Sequence, residues 1–195
     1  GLAEVLFFTL SILFGLPMPL VAVQLLWLNL VTDGLQDLAL SFEREEDDIM
    51  NDKPRDPKES LFDKLLIQEI AISGLFIGLI VFGIWVYLIK FLNMDINIAR
   101  GYIMALMVFM QNIHVFNCRS EKKSFFKVKL SSNWFVPFAV FSSILLQIII
   151  MEVPFLSHFM KTESIPFNHM FLLLLAALPV LIVMEIFKWI NRRND

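Results

Sequence analysis

Charged side chains are scarce in this 195-residue chain: they make up 18% of it, where a soluble domain carries about a quarter. Cysteine occurs once, at Cys118, which excludes an internal disulfide and any multi-cysteine metal centre. The net charge of -3 is too small to imply a nucleic-acid partner, and none is expected. No positively charged segment precedes the first apolar run, so no signal peptide is expected. With Gly1 rather than Met in first place, the chain reads as a piece of something longer. Internal repeats and low-complexity linkers are lacking too.

Apolar residues fill the space instead. They account for 57% of the chain, twenty of them Phe, and the mean hydropathy is +0.70. That is the composition of a membrane protein. A helix needs about 20 mostly apolar residues to cross a bilayer, and six stretches meet or approach this: 1–16, 20–42, 65–91, 98–116, 134–151 and 167–190. The first is short for a full span, ~24 Å at the helical rise per residue. The expected fold is therefore all-α, a polytopic bundle of six spans embedded in the lipid bilayer.

Lys and Arg orient such a bundle, because cytoplasmic loops carry their excess. The loops at 43–64 and 117–133 and the C-terminal end hold thirteen of them; the opposite connections hold only Lys90, Arg100 and Lys161. Those loops and the C-terminus are expected to face the cytoplasm. Trp85 and Tyr87, with Trp134 and Trp189, are expected in the two aromatic belts. Gly74-Leu-Phe-Ile-Gly78 has the spacing of a close helix contact. The acidic run at 43–48 reads as a solvated loop and is assigned no ion.

The informative stretch is Trp27-Leu-Asn-Leu-Val-Thr-Asp-Gly-Leu-Gln-Asp37, inside the second span. At 100° per residue, Asn29, Thr32, Asp33, Gln36 and Asp37 share an arc of about 140°. An ionisable group at mid-bilayer costs about 2.5–3.5 kcal/mol on insertion scales, so it faces the bundle interior and usually has a task. Gly34 weakens the helix beside Asp33, and the span is expected to unwind partly there, freeing carbonyls as further ligands. Carboxylate, amide and hydroxyl oxygens suit hard cations such as calcium. No Cys or His joins the stripe, which argues against zinc or copper. Glu4 adds a carboxylate from the first span, with Ser11 two turns along the same face. Gln111 and His114 give the fourth span a polar edge. Plainer readings stand beside these. Thr32 and Gln111 are also suited to hydrogen bonds between helices, and His114 reads as structural.

The run from Leu20 through Asp33-Gly-Leu35 resembles the sixth transmembrane helix of calcium-pump-like P-type ATPases. Glu4-Val and Gly15-Leu-Pro resemble the end of that family's fifth helix and the turn after it. Met50, Lys53-Pro-Arg-Asp-Pro-Lys-Glu59 and Leu61-Phe62 resemble its loop between helices six and seven. The segment from Gln111 through Asn117-Cys-Arg-Ser-Glu121 resembles the end of helix eight, most like bacterial members. The four segments occur in family order and spacing.

The resemblance implies helices five to ten of a pump that exports a cation, calcium foremost, across a bacterial plasma membrane. Phosphorylation of an aspartate by ATP and Mg2+ would take place in cytoplasmic domains outside this chain. The partner is then the N-terminal remainder of the pump, and the fragment alone is expected to hydrolyse nothing. By position, the resemblance makes Glu4, Asn29, Thr32 and Asp33 ion ligands, with Gln111 and Asp37 at the margins of the set. It departs from two-ion pumps at Gly1, where they have Asn, and at Gln111, where they have Glu. Both departures weaken the same ion site, so one divalent cation per ATP is expected, with Glu4 a candidate for handling protons and Asp37 for lining the entry path. Without the resemblance, a secondary transporter or channel, or a non-catalytic membrane scaffold, would also account for a mid-membrane polar stripe.

Overall fold

The computed structural model describes residues 1–44, 64–120 and 123–192. Most of the acidic and proline-rich loop, including Lys53–Glu59 and Leu61-Phe62, lies outside the described residues, as do Glu121 and Lys122. Among the described residues the fold is helical throughout and contains no strand.

Helix α1 (Leu2–Leu13) is apolar and ends in a turn at Gly15, whose φ of 62° lets the chain reverse. The second run has three parts: α2 (Ala22–Leu28), a π-helix at Asn29–Gly34, and α3 (Leu35–Leu40). The turn expected to unwind thus stays helical but widens. Next come α4 (Lys64–Val86), extended by a π turn at Tyr87–Phe91, and α5 (Ile96–Cys118). The Asp95 carboxylate caps α5 by accepting from the backbone N–H of Asn97 at 2.8 Å. Helix α6 (Phe135–Glu152) is followed at once by the short α7 (Pro154–Met160). Helices α8 (Phe167–Ala177) and α9 (Pro179–Asn191) are one run interrupted at Pro179.

Among the described residues, three runs are long and apolar enough to cross a membrane: Lys64–Phe91, Phe135–Glu152 and Phe167–Asn191. Their outward faces carry large exposed apolar groups such as Leu79, Phe138, Phe141, Phe171 and Ile182. So much exposed apolar surface suits lipid rather than water, and the protein is an integral membrane protein. Helix α5 is different. From Ile103 to Met110 every residue is buried, because α4, α6, α8 and α9 all pack on it. It is the axial post of the bundle.

Small residues set the closest approach. A Cβ placed on Gly74 would meet Leu2 Cδ2 at 2.8 Å, and one on Gly78 would meet Leu6 Cδ2 at 2.9 Å and the Ala3 carbonyl at 3.0 Å. The Gly74–Gly78 pair therefore seats α1 directly against α4. Trp85, expected in an interfacial belt, is instead fully buried and packs edge-to-face on Phe7. The α1–α4 seam is wide enough to take an indole, and burial there removes more apolar area from solvent than an interface would. Tyr87, Trp134 and Trp189 remain exposed.

Hydrogen bonds sort the connections to two ends. At one end Arg119 donates to Glu43 through Nε (2.9 Å) and Nη2 (2.8 Å), and Asn133 Nδ2 adds bonds to Glu43 and to the Ala39 carbonyl. Glu43 is thus a clasp rather than part of a solvated run. At the same end the Lys188 ammonium is buried and donates to the carbonyls of Asn117 (2.5 Å) and Ser120 (2.6 Å). Glu185 accepts from the Ser124 hydroxyl and the Phe125 N–H. At the opposite end Arg100 donates to the Met18 carbonyl, and Gln24 Nε2 donates to those of Met160 and Lys161.

Two outcomes follow from this packing. Gly78→Leu in the full-length protein should force α1 off α4 and lower stability by about 1–3 kcal/mol, read as a drop in unfolding temperature in detergent. The Glu43 clasp adds a pH dependence. Burial pushes the Glu43 carboxyl up, but bonds from Arg119, Asn133 and Ser132 outweigh it and hold the group below its ordinary 4.5. A carboxyl so lowered stabilises the fold above its unfolded-state value, and that stability is lost as pH falls through the folded one. The unfolding temperatures of wild type and Glu43→Gln should differ at neutral pH and converge below about pH 4.

Candidate functional site

The second helical run carries most of the candidate ligands, so its attachment to the bundle sets their position. Three side chains stitch it in place. Gln24 ties its start to the carbonyls after α7. Trp27 Nε1 donates to Gln147 Oε1 on α6 at 3.0 Å. Gln36 Nε2 donates to Asn112 Oδ1 on α5 at 2.8 Å, and the Ser143 hydroxyl of α6 donates to the same oxygen at 2.7 Å. Asn112 is thus a junction of three helices.

This stitching divides the polar stripe. Thr32 and Gln36 turn inward and are buried, while Asn29 and Asp37 are exposed and Asp33 is half-buried. Asn29, Asp33 and Asp37 recur every four residues and line the edge of the helix not covered by the described bundle. Asp33 lies within electrostatic reach of Asp37 and also of Glu4 on α1.

Glu4 in turn is met by the side-chain amide of Gln111 on α5. Glu4 Oε1 and Gln111 Oε1 are both buried and accept no hydrogen bond. Two orphaned acceptors near a second carboxylate form a locally acceptor-rich spot, which a buried cation would satisfy. Among the described residues, no three acidic, His or Cys side chains gather closely enough to hold a metal ion by themselves. Any cation here would need amide, hydroxyl and carbonyl oxygens besides the carboxylates.

The other candidates separate in character. Thr32 donates its hydroxyl proton to the Leu28 carbonyl at 2.6 Å and lies 3.4 Å from Asp33 Oδ1. That first bond is the plain intrahelical use of a threonine, and it leaves the oxygen's lone pairs free to accept. Ser11 likewise donates to Phe7 O at 2.8 Å. His114 Nε2 lies 3.5 Å from Cys118 Sγ one turn on, away from the acceptor-rich spot. Asn112 and Gln147, which anchor the second helical run, are not among the sequence-based candidates. Asn112 sits one residue from Gln111, and only the helix's rotation in the bundle distinguishes an edge position from a buried junction.

The π-helix spans the residues in question. Hydrogen bonding over five residues instead of four widens the turn, and such π segments concentrate at functional sites. Gly34 closes it: an added Cβ would sit 3.5 Å from the Asn29 carbonyl oxygen, ordinary contact, so the glycine's role is flexibility more than room.

Comparison with known proteins bears on the family rather than on single residues. The family described as cation transporting ATPase, C-terminus, matches residues 17–190. A calcium-transporting ATPase of Bacillus subtilis is 37% identical over 186 residues, covering 94% of this chain and 21% of that protein. Calcium-transporting ATPase 1 of Bacillus cereus is 31% identical over 95% of this chain and 22% of its own length. The human calcium-transporting ATPase type 2C member 1 is 31% identical over 100% of this chain and 21% of its own. The chain thus spans about a fifth of the length of these relatives. With the family match running over nearly all of its helices, the chain belongs to the cation-transporting ATPases, as their C-terminal membrane region.

Proposed function

We propose that this chain is the ion-carrying membrane part of an ATP-driven pump that exports calcium, one ion per ATP, from the cytoplasm. Glu4, Asn29, Thr32 and Asp33 supply the ligands, with Gln111 beside Glu4 and Asp37 on the approach. The observation that carries the reading is a pair of buried oxygens without a hydrogen-bond partner, Glu4 Oε1 on α1 and Gln111 Oε1 on α5, with the Asp33 carboxylate of the π turn within electrostatic reach of Glu4. The two unpaired oxygens there are what a dehydrated cation would use.

In this reading the membrane region crosses the bilayer six times, α1, the α2–α3 run and α5 adding to the three long apolar runs. The basic end, with the Glu43–Arg119 clasp, faces the cytoplasm by the excess of Lys and Arg, in a bacterial plasma membrane. The widened turn at Asn29–Gly34 opens further during the cycle and lends its carbonyls to the ion. The open edge bearing Asn29, Asp33 and Asp37 is completed by the rest of the pump. ATP and Mg2+ act in domains outside this chain, which alone hydrolyses nothing. Gly1 and Gln111, standing where two-ion pumps carry Asn and Glu, both weaken the same ion site, which favours a single divalent ion over two.

Three measurements on the full-length protein test this. Calcium-stimulated ATP hydrolysis should lose at least about tenfold in apparent calcium affinity in Asp33→Asn, ~1.4 kcal/mol of binding; unchanged affinity would remove Asp33 from the site. Calcium uptake into inside-out vesicles should approach one ion per ATP, and two would refute the stoichiometry. Asp37→Asn should slow calcium association and leave the maximal rate intact, whereas unaltered kinetics would take Asp37 off the approach.

A further inference from the structure

The end of the bundle away from the Glu43–Arg119 clasp holds a cavity of about 700 Å³ that the cation site does not use. That lies within the ~300–1,000 Å³ usual for small-molecule sites. Its wall combines the first turns of α5, through Asn97 and Arg100, with α7 and the segment after it, through Ser157, His158, Lys161 and Glu163.

The sequence of α7 turns a polar stripe to the cavity and an aromatic one to the outside. Pro154, Ser157, His158 and Lys161 follow helical spacing and line the cavity. Phe155 and Phe159, one turn apart, form the adjoining stripe and are among the most exposed apolar groups of the chain, with Phe167 nearby in sequence. A short helix with a basic stripe beside an aromatic one, placed directly after a span, is built to lie in the interface between lipid tails and headgroups. Lys161, in the left-handed conformation (φ 51°), ends α7 and turns the chain toward Glu163.

The charges facing the cavity are Arg100 and Lys161 on one side of the balance and Glu163 on the other, with the His158 imidazole as a further hydrogen-bonding group and Asp95 acting on Arg100 from outside the wall. Arg100 is held by donating to the Met18 carbonyl through Nε (3.3 Å) and Nη2 (2.9 Å) and to Asn97 Oδ1 through Nη1 (3.4 Å). A guanidinium has five N–H donors, so it is fixed in place with donors to spare. Fixed cations suit a phosphate, and the single carboxylate suits an ammonium.

We propose that this cavity binds the headgroup of a zwitterionic phospholipid that carries a primary ammonium, its phosphate toward Arg100, Lys161 and His158 and its ammonium toward Glu163. The acyl chains leave past Phe155 and Phe159 into the bilayer. The site also reaches the transport helices. Its Arg100 grips the turn before α2, and the carbonyls of Met160 and Lys161 accept from Gln24 at the start of the ion-bearing run. A bound headgroup therefore stiffens the attachment of that run at this end.

The test uses the full-length protein, purified with retained lipid and reconstituted in nanodiscs of phosphatidylethanolamine, phosphatidylcholine or phosphatidylglycerol. Native mass spectrometry after stripping should show phosphatidylethanolamine retained about fivefold over the other two. Lys161→Gln with His158→Gln should abolish retention of all three at this site. Glu163→Gln should keep phosphate-dependent retention and lose the preference for the primary ammonium. All three side chains are exposed, so these variants should unfold at the wild-type temperature in detergent, which separates lost binding from lost folding. Equal retention of the three lipids, retention indifferent to Lys161 and His158, or equally tight binding of soluble phosphoethanolamine would each overturn the proposal. None of these readouts depends on ion transport, so the cation-site reading stands or falls apart from it.

Discussion

A polar atom removed from water must find its partner inside the protein, and in a bilayer no solvent relaxes that demand. This constraint shapes the second helical run more than any apolar contact does. Its residues are fastened by amide side chains: Gln24 to two carbonyls, Trp27 to Gln147, Gln36 to Asn112. Each bond satisfies a group that would otherwise be costly to bury, and together they fix the rotation of the helix about its own axis. With the rotation fixed, the carboxylates have nowhere to go but the open edge. The carboxylates are held out by buried amides of nearly the same chemistry.

Much of this was legible in the sequence because lipid-facing helices need only length and apolarity, both of which are local properties. The all-helical fold, the Gly74–Gly78 contact and the concentration of polar side chains in one run follow from composition and period. What was not legible depends on distant partners. Glu43 sits in an acidic run that reads as solvated, yet it meets Arg119 seventy-six positions away. Trp85 reads as interfacial because it stands near a helix end, but a seam between α1 and α4 takes it in. The sequence could also divide the polar stripe only by angle. Which part of the arc would be buried was settled by Asn112 and Ser143, residues on other helices.

The π turn marks where these demands conflict. An α-helix would place each carbonyl in a bond four residues on and leave the ligand stretch as closed as any other span. The six residues Asn29–Gly34 instead take the wider winding, which costs packing but loosens the ladder where Asp33 projects. Gly34 ends the segment without a side chain to resist that change. Local weakness in the backbone and the polar side chains of Asn29, Thr32 and Asp33 therefore coincide on the same six residues.

Lys188 offers a counterpoint at the other extreme of the bundle. Its ammonium lies in a nest of main-chain oxygens from Asn117, Ser120 and Lys123, with Glu69 and Glu185 close enough to act on it. In chemical terms this is a cation cage whose occupant is covalently leashed. An ion that cannot depart cannot be exchanged, so the α5–α9 junction carries its own permanent counter-charge for the carbonyl ends gathered there.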